Sequence, residues 1–223
     1  MNDKKRENFR KTTKKFIISE IILLIFAIFL LISVIYNANY ITIVDNFVFY
    51  LCSFVRNSIT NNIFLFITFL GETELIMVLL ILTLFFPERK DLFYLYPLTI
   101  FSAVLNFIIK NFVHRARPIN QFALNLIIEY PFPTSFSFPS GHSQTSLVVY
   151  FALFYICLKN AKNPRVKNCL SIGIIIPILI MISRVILGVH FFSDVLMGAI
   201  LGTMIINCFV YLQKNQNKNL LKI

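Results

Sequence analysis

The chain lacks several features that would assign it to a common class. Its four cysteines, Cys52, Cys157, Cys169 and Cys208, form no C-x-x-C pair, and the last three fall in apolar stretches. That argues against a zinc site or a disulfide framework, and they read as small core residues. No internal repeat or low-complexity tract interrupts the sequence, so it reads as one domain. A cleavable leader is not expected either. The basic residues Lys4, Lys5, Arg6, Arg10, Lys11, Lys14 and Lys15 precede an apolar run over 16–36. That run exceeds the roughly 7–15 residues of a signal-peptide core, and no small-x-small cleavage site follows it. A retained first helix with a cytoplasmic N-terminus is expected. Acidic residues are scarce, 10 against 21 Lys and Arg, for a formal net charge of +11. Such a surplus marks a nucleic-acid binder only when the cations form a face or a stripe.

Here the cations flank hydrocarbon instead. The residues are 57% apolar, with 25 Phe and a mean hydropathy of +0.76. Runs such as 21–35 and 172–182 are characteristic of membrane helices. Six spans are predicted, at about 16–36, 73–87, 92–110, 143–158, 168–188 and 194–212. The expected fold is all-α: an integral membrane bundle of six transmembrane helices with an extracytoplasmic interfacial helical segment. Its single domain, 16–212, lies between cytoplasmic tails at 1–15 and 213–223. An even count puts both termini on one side. The N-terminal cations fall there, with Arg89, Lys90, Lys159, Lys162, Arg165, Lys167, Lys214, Lys218 and Lys222, as the positive-inside rule requires. A membrane is therefore the expected partner, and nucleic acid is not. Arg56, Lys110, Arg115, Arg117 and Arg184 break the rule by falling outside.

Within 37–72, Val44, Phe47, Val48, Leu51, Phe54 and Val55 recur at helical spacing, with Asp45, Asn46, Arg56 and Asn57 largely on other faces. This fits a helix lying in the outer interface or a packing helix under a loop. An apolar run at 63–70 then meets Gly71-Glu72-Thr73-Glu74. Thr73 is expected to cap the second span, with Glu74 favourable in its first turn. A start near 63 would bury two carboxylates in lipid, which is costly.

Three stretches carry reactive groups. Lys110 closes the third span, and Arg117-Pro118 follows seven residues on. If the helix continues, both cations share a face and reach one anion; as isolated residues they also suit snorkelling anchors. Pro139-Ser140-Gly141-His142 precedes the fourth span. Its Gly and the N–H groups of a helix start suit an anion, Ser140 adds a hydroxyl, and His142 can donate a proton near neutral pH. A plain helix entry is the other reading. In Ser183-Arg184 and His190-x3-Asp194, the i,i+4 spacing places imidazole and carboxylate on one helix face. A carboxylate on one ring nitrogen leaves the other to attack phosphorus, while an interfacial ion pair is the alternative. The six-span layout puts all three stretches at the outer face, where they make one site.

In order, Lys-x6-Arg-Pro, Pro-Ser-Gly-His and Ser-Arg-x5-His-x3-Asp resemble the signature of the type 2 phosphatidic acid phosphatase family, related in its site to vanadium haloperoxidases and bacterial acid phosphatases. The resemblance implies a lipid phosphatase with His190 as nucleophile, Asp194 orienting it and His142 as general acid. Lys110, Arg117, Ser140, Gly141 and Arg184 would bind the phosphoryl group. It implies no cofactor and no metal, and the outer face offers no compact Asp/Glu/His cluster beyond His190 and Asp194. The implied substrate is a lipid phosphate or diphosphate: undecaprenyl diphosphate first, then phosphatidylglycerophosphate or phosphatidic acid, with phosphotransfer to another acceptor as an alternative. No obligate protein partner is implied.

Three further residues lie near these motifs. His114 and Arg115 are expected to add positive potential, and Glu129 sits in a Phe- and Pro-rich outer loop, 119–138, with a packing role. Gly198 and Gly202 suit close helix contact inside the bundle.

Overall fold

The computed structural model describes residues 3–85, 92–119, 134–163 and 173–220. The described helices are α1 (Asp3–Ile35), α2 (Asn39–Ser53), α3 (Ser58–Phe69), α4 (Thr73–Thr83), α5 (Leu95–Val113), α6 (Gly141–Asn160), α7 (Ile175–Ile186) and α8 (Phe192–Leu220). Arg89, Lys90, Glu129, Pro131, Phe132, Pro133, Arg165, Lys167 and Cys169 lie outside the described residues. The protein is an all-α membrane protein, and no described residue is in a strand.

Among the described residues, five stretches are long and apolar enough to cross a membrane: Arg10–Ile35, Ser58–Thr83, Leu95–Val113, Gly141–Asn160 and Phe192–Lys214. The expected span at 168–188 is represented by the shorter Ile175–Ile186, and its first residues are not described. α1 is helical from Asp3, through the basic leader.

The expected start of the second span needs correction. The apolar stretch begins at Ser58, not at 73, and breaks at residues 70–72 into α3 and α4. Glu72, not Thr73, holds the N-cap position of α4, without a side-chain cap bond, while Glu74 lies in the first turn as expected. The physical objection to carboxylates in lipid was sound, but the break answers it. Glu72 turns inward to a cavity.

α6 and α8 form the centre, with 44% of their span residues buried against 17–22% in the outer spans. Val148, Val149, Ala152 and Ile156 of α6 pack with Ile76 of α4, Leu95 of α5, Ile180 of α7, and Ile205 and Phe209 of α8. The Gly198 and Gly202 pair permits this approach: a Cβ at Gly198 would sit 2.6 Å from the Ser140 carbonyl oxygen, and one at Gly202 3.1 Å from that of Gln144. The pair therefore packs inside the bundle. α1 lies against α8, and its outer side exposes Ile21, Ile25, Phe26 and Phe29, as a lipid-facing helix should.

The segment 37–72 resolves into α2 and α3 with a capping box at Asn57 and Thr60. α2 exposes Ile43, Phe47, Tyr50 and Leu51, while Asp45 is 2% exposed on its inner side. An apolar exterior over a polar interior fits the interfacial reading. After α2, Arg56 donates from Nε to the Ile186 carbonyl at 2.6 Å and from Nη2 to that of Val185 at 3.3 Å. It caps carbonyls in the last turn of α7, where that of Val185 also accepts the Gly188 N–H.

Candidate active site

The C-terminal ends of α5 and α7 meet the N-terminal ends of α6 and α8 around a cavity of about 560 Å³. Lys110, Arg117, Gly141, His142, Arg184 and His190 all line it, with Glu72, Asn106 and Ser135. Residues from Glu72 to His190 thus converge because several helix ends converge. Ser140 and Asp194 do not line the cavity and support it from behind.

Lys110 and Arg117 do not share a helix face. α5 ends at Val113, and His114 adopts the left-handed conformation (φ 52°) with its N–H on the Lys110 carbonyl. The chain reverses and delivers Arg117 from a loop. Arg117 is 3% exposed. It donates from Nε to the Ser135 carbonyl at 2.8 Å and from Nη1 to the Val189 carbonyl at 2.8 Å. The Nη1 atom also lies 3.1 Å from His190 Nε2.

That contact fixes the imidazole. Guanidinium nitrogens only donate, so Nε2 accepts and the ring proton resides on Nδ1. Nδ1 lies 3.4 Å from Asp194 Oδ2. Burial pushes the His190 pKa well below its ordinary value, and Arg117, Arg184, Lys110 and His142 push in the same direction. A neutral imidazole with its Nε2 lone pair toward the cavity results.

The expected helical i,i+4 pairing of His190 and Asp194 also needs correction. His190 precedes α8, and Asp194 occupies its first turn. Asp194 Oδ2 accepts the Phe191 N–H at 2.9 Å and the Ser137 hydroxyl. The carboxylate meets the ring as a helix N-terminal acceptor, in addition to being four residues away.

Ser140 caps α6: its Oγ accepts from Ser143 N at 3.4 Å and from Ser143 Oγ at 2.8 Å. Ser140 is fully buried beneath the turn. Gly141 faces the cavity, where a Cβ would meet nothing nearer than Asn106 Oδ1 at 3.4 Å. Arg184, 0% exposed, donates from Nη1 to Thr68 Oγ1 at 2.6 Å.

Arg115 does more than add positive potential. Its guanidinium in fact donates to Asp194 Oδ1 and Asp45 Oδ2, each at 2.6 Å, and to Ser193 Oγ at 2.7 Å. Burial opposes its charge, but Asp194 and Asp45 outweigh that and raise its pKa. Glu72 was also unassigned; its Oε1 lies 3.2 Å from His142 Nε2. The signal for both was present in principle: a cation breaking the positive-inside pattern, and a carboxylate within an apolar stretch.

The arrangement can bind an anion among three cations, present a neutral imidazole nitrogen to it, and offer a second imidazole from the same cavity. Among the described residues no group of three or more His, Cys, Asp or Glu side chains is placed to hold a metal.

Comparison with known proteins agrees with this chemistry. The family model described as PAP2 superfamily matches residues 91–218. Phosphatidylglycerophosphatase B of Bacillus subtilis (strain 168) is 32% identical over 188 residues, covering 81% of this chain and 89% of that protein. An undecaprenyl-diphosphatase of Sulfolobus acidocaldarius is 30% identical over 158 residues, covering 70% of this chain and 72% of the other. The crystal structure of a transmembrane PAP2 type phosphatidylglycerolphosphate phosphatase from Bacillus subtilis superimposes with a TM-score of 0.71 at 26% identity, over 90% of this chain and 96% of that one.

Proposed function

The chain belongs to the PAP2 superfamily and is a membrane lipid phosphatase; on that premise we propose that it hydrolyses phosphatidylglycerophosphate at the extracytoplasmic face through a phosphohistidine on His190. The observation that carries the mechanism is the Arg117–His190 contact at 3.1 Å, which aims Nε2 at the place where a phosphate would sit.

Lys110, Arg117 and Arg184 hold the nonbridging oxygens, and the N–H groups at the start of α6, held by the Ser140 cap, add dipolar attraction. As phosphate engages Arg117, Nε2 is released to attack phosphorus. The P–O bond to the lipid breaks, a P–N bond forms, and His142 gives its proton to the departing oxygen. Asp194 stabilises the Nδ1–H of the charged ring. Water, deprotonated by His142, then displaces His190 and releases inorganic phosphate. No step calls for a metal.

The substrate assignment rests on the phosphatidylglycerophosphatase B relative and the breadth of its match. Undecaprenyl diphosphate is the second reading, supported by the archaeal relative. The outward orientation is supported by the bundle itself. Phe16 stacks on Tyr211 with centroids 4.4 Å apart, so the segments beside the two termini share one end, with Lys14, Lys15 and Lys214, and the cavity lies at the other. The positive-inside rule makes the lysine end cytoplasmic.

Phosphate release by the purified protein from both lipids, with and without a chelator, is the test. Turnover of phosphatidylglycerophosphate at least about tenfold above undecaprenyl diphosphate, a gap of ~1.4 kcal/mol in the barrier, is expected. The reverse order overturns the substrate assignment, and loss of activity on chelation overturns the metal-free mechanism. Transfer of phosphate to another lipid in place of inorganic phosphate release overturns hydrolysis.

A further inference from the structure

The break between α3 and α4 is unusual in an apolar stretch, and it is built against one catalytic side chain. Gly71 packs so tightly that a Cβ there would lie 2.7 Å from Ile180 Cγ2 and 3.1 Å from His142 Cδ2. Tyr150, two turns below His142 on α6, donates its hydroxyl to the Leu70 carbonyl at 2.7 Å and holds the turn in place. The next residue is Glu72, whose carboxylate reaches His142 Nε2 at 3.2 Å. An ionisable group in a membrane stretch is costly and calls for a functional partner.

We propose that Glu72 is a positioning residue that keeps His142 protonated and aimed into the cavity until the leaving oxygen takes its proton. The proposal rests on the reading of His142 as the general acid. The cations lining the cavity with His142 are Arg184 from α7, Arg117 from the loop after α5 and Lys110 of α5, with the neutral His190 beside them. Like charges in one cavity oppose one another. Glu72 is the one carboxylate among the described residues lining the cavity, and it supplies the opposing charge. A proton-donating group must carry its proton when substrate arrives, and a cation-rich phosphate pocket works against that. Glu72 resolves the conflict without a covalent change of its own: the His142 proton passes to the lipid oxygen, and the attacking water later restores it.

The experiment uses full-length wild type, E72Q, E72D, H142A and E72Q/H142A in detergent micelles. Lipid phosphate turnover is measured from about pH 5 to pH 9, beside p-nitrophenyl phosphate, whose leaving group needs little proton assistance. E72Q should lower lipid kcat about 10- to 100-fold, with KM changed less than about threefold, and move the alkaline limb to lower pH by about one unit. The aryl phosphate should lose less than about threefold, E72D should lie between E72Q and wild type, and E72Q should add less than about twofold to H142A. An unchanged kcat and alkaline limb in E72Q overturns the proposal. So does an equal loss on both substrates, or a further tenfold loss in the double variant. If E72Q does not fold, E72D decides: a wild-type profile there overturns the proposal, and a shifted limb supports it. Full lipid turnover in H142A sinks the general-acid reading itself, whereas full turnover in E72Q alone sinks only the role of Glu72.

Discussion

Arg115 and Asp45 meet at 2.6 Å, and the same guanidinium spans to Asp194, also at 2.6 Å. Asp45 belongs to α2 and Asp194 to the first turn of α8, so one planar cation joins the interfacial helix to the carboxylate behind His190. Asp45 further accepts the Ser193 N–H at 2.9 Å and the Ser193 hydroxyl at 2.6 Å. Both carboxylates are at most 1% exposed as side chains, and Arg115 is 14% exposed.

Removing that cation should therefore disable the site from outside the cavity. Breaking one side of a buried pair typically costs about 3–5 kcal/mol. Arg115→Ala is expected to lower thermal stability by an amount of that order and to reduce kcat more than it raises KM. Arg115→Lys should recover only part, because a point charge cannot bridge two carboxylates. Melting in detergent and phosphate-release kinetics check both. A stable R115A with wild-type kcat would remove Arg115 from the mechanism.

Loss of the nucleophile should be more severe than loss of its orienter. His190→Ala is expected to abolish phosphate release and any acid-labile phosphoenzyme. Asp194→Asn should leave a folded protein slowed by up to about 10⁴-fold, the loss seen when a buried carboxylate behind a catalytic imidazole is neutralised. Rapid quench with a labelled lipid phosphate reads both. Label on the wild type and none on H190A is the expected pattern.

The acid side of the pH profile follows from the depressed His190 pKa, caused by burial first and then by the neighbouring cations. The imidazole stays neutral below its ordinary pKa of 6.5, so kcat/KM should hold as pH falls through that value and decline only further down. Replacing a cation, as in Lys110→Gln, should move this acid limb upward while weakening phosphate binding. Stability has the matching sign. Below about pH 6.5 the unfolded chain takes up a proton that the folded site refuses, so this contribution declines between the unfolded pKa and the lower folded one. A pH–rate profile and melting curves across that window check both statements.

Packing at the α6 entrance supplies a prediction about the scaffold. Gly198→Ala would place a methyl 2.6 Å from the Ser140 carbonyl oxygen, a backbone atom that cannot swing aside. Overpacking of this kind costs about 1–3 kcal/mol, and here it also separates the helix ends bearing His142 and Asp194. Lower stability and lower kcat are expected together in melting and turnover measurements. A G198A protein equal to wild type in both would show that the α6–α8 contact yields easily.

The reactive inventory was legible because its chemistry is rare in hydrocarbon: Lys110, Arg117, Arg184, His142 and His190 stand out in an apolar chain, and the cavity gathers all five. Spans three, four and six were legible from apolar length. Local geometry was harder to read. A seven-residue spacing between Lys110 and Arg117 looks helical until His114 turns left-handed, and no periodicity announces that turn. Ser140 has the right residue type for both phosphate binding and capping, and the cap depends on how the turn before α6 is buried. Thr73 is the better cap by residue type, yet α4 has Glu72 at the N-cap position without a side-chain cap bond, which residue type alone does not reveal. The roles of Arg115 and Asp45 depend on a pairing across 70 residues, which local pattern cannot encode.

The reversal at His114 sets a rule for changes in chain length. Lys110 and Arg117 are brought together by a folded-back loop anchored at both ends, by the Lys110 carbonyl at one and by Ser135, Val189 and His190 at the other. Helical phase plays no part. Inserting a whole helical turn between the two would preserve phase yet withdraw the guanidinium from His190, as surely as deleting a single residue would. The interval is a fixed tether, and its length is as much a part of the catalyst as the residues at its ends.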